Sequence, residues 1–95
     1  MIGNTIGEFI DDLLSAGGPE KEFIFRNNRY FMETIWHPES NKHELYCAVI
    51  SDKASPGHSW FGTSFEECVR QFEKAAIFEG LTIYQAEQEI EVLFG

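Results

Sequence analysis

The sequence predicts one α+β domain over residues 1–95, with an N-terminal helix, an antiparallel meander of three or four strands and two C-terminal helices packed on the sheet. Three observations lead to this prediction. A chain of 95 residues suits a single domain. Apolar residues recur with helical spacing near both ends of the chain. Short runs rich in aromatic and β-branched residues, separated by turn formers, fill the middle.

The first helix is indicated by apolar residues at i, i+3, i+4, i+7 and i+8, the spacing of one helical face. These residues are Ile6, Phe9, Ile10, Leu13 and Leu14. Thr5 and Glu8 have the spacing of a capping box at its start. Gly17, Gly18 and Pro19 are expected to end the helix, because glycine accepts the left-handed C-cap conformation and proline cannot continue a helix.

The second helix is predicted to follow two overlapping capping boxes, Thr63 with Glu66 and Ser64 with Glu67. Its apolar stripe comprises Phe65, Cys68, Val69, Phe72, Ala75 and Ala76. Gly80 separates it from a third helix, which is predicted to run from residue 82 to residue 94. The apolar face of that third helix comprises Ile83, Ala86, Ile90, Leu93 and Phe94, with Glu87 and Glu91 on the opposite side.

Strands are predicted at residues 22–27, 29–37, 43–50 and 59–62. Asn27 and Asn28 suit a tight turn between the first two strands, because asparagine tolerates a positive φ angle. A turn there would place Phe25 opposite Tyr30. A loop from residue 38 to residue 42 would then align Ile35 with residue 45 of the third strand.

This alignment predicts that both faces of the sheet are apolar. The larger face would carry the helices, and it comprises Phe23, Phe25, Tyr30, Met32, Trp36, Ala48 and Ile50. The second face comprises Ile24, Phe31, Ile35, Leu45, Cys47 and Val49. Covering three or four such side chains is worth several kcal/mol, at about 25 cal/mol per Å² of apolar area. Either a helix of this chain or another chain is therefore expected to cover the second face.

The leading functional hypothesis is a noncatalytic interaction or regulatory module, with a homodimer as one form. Its predicted partner-binding residues are Ile24, Phe31 and Ile35 on the second face, with Arg26 and Arg29 at its edge. The hypothesis depends on the second apolar face being open to another protein molecule, either a different protein or a second copy.

Charge limits the other partners. Sixteen acidic residues against seven Lys and Arg give a formal charge of −9, which disfavours direct binding to nucleic acid or to anionic membranes. The second functional hypothesis is that the acidic side of the third helix imitates a phosphate backbone and occupies a nucleic-acid-binding protein. We expect a cytoplasmic protein, because the first residues lack a basic segment and no apolar run approaches the length of a membrane span.

An enzyme is the third hypothesis, and no cofactor or metal is expected. The predicted alignment places His37 opposite His43, which supplies only half of a zinc site. His58 precedes Ser59, but adjacent strand residues point to opposite faces, so they are not expected to form a nucleophile and base pair. Cys47 and Cys68 lie among apolar residues and are expected to be buried, reduced thiols.

Overall fold

The computed structural model describes residues 1–15, 20–52 and 56–94. It confirms an α+β fold with an N-terminal helix, an antiparallel sheet and two later helices. The elements, in chain order, are α1 (Ile6–Leu14), β1 (Lys21–Phe25), β2 (Asn28–His37), β3 (Lys42–Val49), β4 (His58–Gly62), α2 (Phe65–Lys74), α3 (Ile83–Ala86), a 3₁₀ turn (Glu87–Glu89) and β5 (Ile90–Phe94). The sheet has five strands in the order β4-β3-β2-β1-β5, and every neighbouring pair is antiparallel.

The third helix is much shorter than predicted, because the chain leaves it after one turn and enters β5. Thr82 and Gln85 do form the expected capping box. Beyond them, Ile90 and Val92 alternate on one side of a strand that pairs with β1, whereas the predicted helical face combined Ile90 with Leu93 and Phe94. Residues 90–94 are too few for their apolar spacing to distinguish a helix from a strand. As a strand, they satisfy the backbone hydrogen-bonding groups along the free edge of β1.

The hairpin between β1 and β2 turns one residue earlier than predicted. Arg26 and Asn27 both have positive φ angles, +48° and +67°, as the tightest two-residue hairpin turns require. Phe25 therefore pairs with Asn28, and Phe23 pairs with Tyr30. The alignment differs from the predicted one by two residues, so each side chain keeps its predicted face.

The predicted alignment of β3 is wrong by one residue. Strands β2 and β3 extend to His37 and Lys42, which leaves a four-residue loop with Asn41 at a φ angle of +54°. Ile35 consequently pairs with Glu44 instead of residue 45. A shift of one residue exchanges the two faces of a strand, so the β3 residues expected on the second face point to the helices. These residues are Leu45, Cys47 and Val49.

All described helices pack on one face of the sheet, here called the inner face. The Phe9 ring of α1 meets Phe23 with centroids 5.6 Å apart, and the Phe72 ring of α2 meets Trp60 at 5.4 Å. Phe78, in the loop after α2, is also fully buried against this face. Lys21 is buried there too, with its Nζ 3.0 Å from Asp12 Oδ2.

The helix caps follow the sequence in part. Thr5 and Glu8 form the predicted capping box of α1, whereas α1 ends at Leu14, and the predicted stop at residues 17–19 lies outside the described residues. At α2, the Ser64 hydroxyl accepts a hydrogen bond from the Glu67 backbone N–H. The Glu67 carboxylate accepts hydrogen bonds from Thr63. No helix in the described part of the chain is long and apolar enough to span a membrane.

Candidate protein interaction surface

The second face of the sheet, here called the outer face, is free of helices within the described chain. Its apolar side chains come from alternate positions of four strands and from the residue after β3. They are Ile24, Phe31, Ile35, Tyr46, Ala48, Ile50 and Phe61. Phe61 and Ile50 are 49% and 45% exposed, respectively, and Ile24, Phe31 and Ile35 are half-buried by their neighbours. The predicted apolar second face is therefore present, and within the described chain Ile50 and Phe61 are exposed on it whereas Ala48 is buried.

The composition of this face differs from the prediction on β3 and β4. Tyr46, Ala48 and Ile50 replace the three β3 residues that were expected there, and Phe61 of β4 adjoins Glu44. The β3 sequence is apolar at both odd and even positions, so alternation alone does not show which of its side chains lie on the outer face. The length of the preceding loop was the signal that would have decided it.

Two of the carboxylates on the outer face are paired within the molecule. Glu22 accepts hydrogen bonds from Arg29, one of them from Nε at 2.9 Å. Glu44 accepts a hydrogen bond from the Ser59 hydroxyl at 2.6 Å and lies 2.7 Å from His37 Nε2. Burial raises the pKa of Glu44, but these two hydrogen bonds and the imidazole outweigh burial and lower the pKa below its ordinary value.

Glu33 and Lys42 are the remaining charged side chains on the outer face of β1 to β4. Among the described residues, neither makes a hydrogen bond or an ion pair. Glu33 is half-buried and lies beside Phe31 and Ile35 on β2, whereas Lys42 is exposed at the start of β3. An unpaired carboxylate among apolar side chains is a group that a binding partner must match with a cation.

Arg26 is engaged at the tip of the first hairpin. Its Nε and Nη2 donate to the two oxygens of Glu89 at 2.9 and 2.8 Å, and its Nη1 donates to Glu79 at 3.0 Å. The hydrogen bonds to Glu89 and Glu79 raise its pKa further. Arg26 therefore ties the hairpin tip to the segment before β5, and its role in binding a partner stays a prediction.

The histidines do not form the predicted pair. His37 pairs with Lys42 and lies on the outer face, while His43 pairs with Trp36 on the inner face, because of the same one-residue shift of β3. The His43 ring lies 4.5 Å from Trp36 and 4.3 Å from Phe65, centroid to centroid. Within the described residues, no group of three His, Cys, Asp or Glu side chains is placed to hold a metal ion.

The polar residues near Phe61 are not arranged as a nucleophile and its base. The Ser59 hydroxyl donates to Glu44, and Glu44 separates it from the imidazole of His37. In a serine triad the hydroxyl contacts the imidazole and the carboxylate orients the imidazole from its other side, an order that these three residues do not reproduce. Both cysteines are free and buried; burial raises the pKa of Cys47 to about 12 and also raises that of Cys68. Thiols with such pKa values are poor nucleophiles.

No protein-family model, curated protein or solved structure matches the chain. The functional interpretation therefore depends on the physical chemistry of the outer face.

The five predicted partner-binding residues fall into two groups in the structure. Ile24, Phe31 and Ile35 share the outer face, and Arg29 lies beside Ile24 on the same face. Arg26 is in the turn beyond this face, and its guanidinium is held by two carboxylates. The additional apolar members of the face, on β3 and β4, were not recognised in the sequence.

Proposed function

We propose that the protein is a noncatalytic interaction module that forms a homodimer through the outer face of its sheet. The observation that supports this proposal most strongly is the contrast between the two faces. The described helices all pack on the inner face, and the outer face presents seven apolar side chains with none of these helices over it. Contiguous apolar surfaces of this kind are typical of protein interaction sites.

The charge distribution favours a second copy as the occupant. The whole chain has a formal charge of −9, and two such molecules repel each other. With His37 neutral, the outer face of the five strands carries only −2 of this charge, because Arg29 and Lys42 offset two of the four carboxylates Glu22, Glu33, Glu44 and Glu91. Two copies therefore meet with the least repulsion when these faces approach each other.

The size of the outer face suits a weak dimer. Five strands about 4.8 Å apart are about 24 Å wide, and strands of five to ten residues are about 17 to 34 Å long. Each copy therefore offers roughly 500 Å² of sheet, and two copies bury at most roughly 1,000 Å² together, when their sheets overlap fully. That area is near the lower limit for a specific interface, so we expect a Kd in the micromolar range.

Sedimentation velocity of the full chain tests this proposal, over concentrations from about 2 to about 200 µM. The test variant is Phe31→Lys, which places a charge at the centre of the outer face. Tyr84→Lys is the matched control, because Tyr84 is an exposed aromatic residue of α3. Both variants lower the net negative charge equally, so increased overall repulsion cannot explain a loss of association.

We expect wild type and Tyr84→Lys to dimerise with the same Kd and Phe31→Lys to stay monomeric. A wild-type protein that is monomeric at the highest concentration would refute the homodimer. Equal dimerisation by Phe31→Lys would place the interface elsewhere.

The second functional hypothesis, imitation of a phosphate backbone, was based on the acidic side of a long third helix. Glu87 lies in the 3₁₀ turn and Glu91 in β5, so the expected acidic helix is absent from residues 87–94. Capture of a basic protein that weakens steeply with salt would support this alternative. Self-association of the wild type that is lost in Phe31→Lys would instead support the homodimer.

A further inference from the structure

Strand β2 carries a symmetric charge pattern on the outer face. Arg29, Phe31 and Glu33 occupy alternate positions, so they share this face at intervals of about 6.8 Å. Phe31 is at the middle, with a cation two residues before it and a carboxylate two residues after it. Reversing the direction of the strand about Phe31 exchanges the positions of the two charges. Such a pattern is complementary to itself.

We propose that the two copies pack with Phe31 on the two-fold axis, so that Arg29 of each copy pairs with Glu33 of the other. This inference rests on the homodimer proposed above and adds its register. In a two-fold interface, a contact between residue i and residue j of the second copy occurs twice. The proposed axis lies between the two faces and runs across β2 at Phe31, so rotation about it reverses the direction of the strand. Arg29 of each copy then lies opposite Glu33 of the other copy.

The bonding of these side chains inside one molecule is compatible with the pairing. The Arg29 guanidinium uses Nε and Nη2 for Glu22, its Nη1 is in neither of these bonds, and the side chain is 50% exposed. Glu33 has no ion-pair or hydrogen-bond partner in the described chain, and covering it with a purely apolar surface would bury an uncompensated charge. Arg29 of the second copy supplies the missing cation.

Strand β3 supports the same axis independently. Ala48 pairs with Phe31 across the two strands, and it is flanked on the outer face by Tyr46 and Ile50. Rotation about the proposed axis places Tyr46 of one copy over Ile50 of the other, which covers the 45% of Ile50 that is exposed in one molecule.

Lys42 is the competing partner for Glu33. It lies at the far end of β3, opposite His37. An axis that pairs Lys42 with Glu33 of the second copy must pass level with Ile35, about 14 Å along β2 from Phe31 at 3.4 Å per residue. Such an axis leaves Phe31, Ala48 and Ile50 beyond the overlap of the two sheets, whereas the Arg29 register leaves Ile35 and Phe61 beyond it. The Arg29 register therefore covers more of the apolar face.

Charge reversal in the full chain tests the register by sedimentation equilibrium. We expect Glu33→Arg and Arg29→Glu each to weaken the homodimer at least about tenfold, since like charges then oppose each other in both copies of the contact. An equimolar mixture of the two variants restores opposite charges at both contacts. We expect this mixture to form a heterodimer with a Kd within about threefold of the wild-type value.

Two further variants separate the possible failures. Arg29→Glu also loses its contact with Glu22, so Glu33→Gln, which leaves that contact intact, is expected to weaken the dimer as well. Lys42→Glu is expected to change the Kd by less than about threefold. A wild-type dimer that is insensitive to Glu33→Arg, or a mixture rescued by Lys42→Glu instead of Arg29→Glu, would overturn this register while leaving the homodimer intact. A monomeric wild type would overturn both proposals.

Discussion

Phe78→Ala is expected to be the most damaging single truncation outside the helices and strands. Phe78 is fully buried, and its ring meets four others, those of Phe23, Phe25, Tyr30 and Phe72, at centroid distances of 5.2 to 6.2 Å. Truncation of a buried phenylalanine to alanine costs about 3 to 5 kcal/mol, through lost transfer free energy and the cavity left behind.

That cost is a large share of the total stability, because a domain of this length has a free energy of unfolding of about 5 to 14 kcal/mol. Urea unfolding measures the change, with a drop in Tm of at least about 12 °C as the thermal counterpart. Tyr84→Ala is the control, because Tyr84 is 48% exposed, and we expect it to cost less than about 1 kcal/mol. A cost below about 1 kcal/mol for Phe78→Ala would refute the packing of the 75–81 loop on the inner face.

Three other residues give further predictions. His43→Phe should raise the free energy of unfolding by about 1 kcal/mol in urea titrations, because the buried His43 Nδ1 has no hydrogen-bond partner in the described chain; a loss of stability would contradict this. The Cys47 thiol, whose pKa is raised to about 12, should not react with a disulfide reagent at about pH 8 until the protein unfolds; rapid native labelling would contradict its burial. Glu44 has a lowered pKa, so its charge stabilises the fold above its ordinary pKa of 4.5 and this contribution is lost as the pH falls through the lowered value. The destabilisation caused by Glu44→Gln should therefore be larger at about pH 7 than at about pH 3, and an equal effect at both would refute it.

Local patterns predicted the helix starts and the apolar character of both sheet faces. The Thr5 and Ser64 caps form because a hydroxyl three residues before a backbone N–H satisfies that group without any tertiary contact. The faces of β1 and β2 were also predictable, since an error of two residues in the hairpin register returns each side chain to its own side.

Tertiary pairing decided the features that local patterns could not. Residues 90–94 fit a helix and a strand equally well by spacing, and the open edge of β1 selected the strand. The β3 sequence is apolar at both odd and even positions, so the length of the four-residue loop before β3 determined which of its side chains lie on the outer face. This loop also separated His37 from His43. Phe78 lies in a loop, where no periodicity marks a core residue.

The central claim is that the outer face is covered by a second copy of the chain. Measuring the mass of the wild-type protein and of Phe31→Lys by sedimentation equilibrium at about 200 µM tests it most directly. We predict a wild-type mass that approaches twice the 10.9 kDa of the single chain and a Phe31→Lys mass equal to that of the single chain. Both proteins sedimenting as the single chain would contradict the claim.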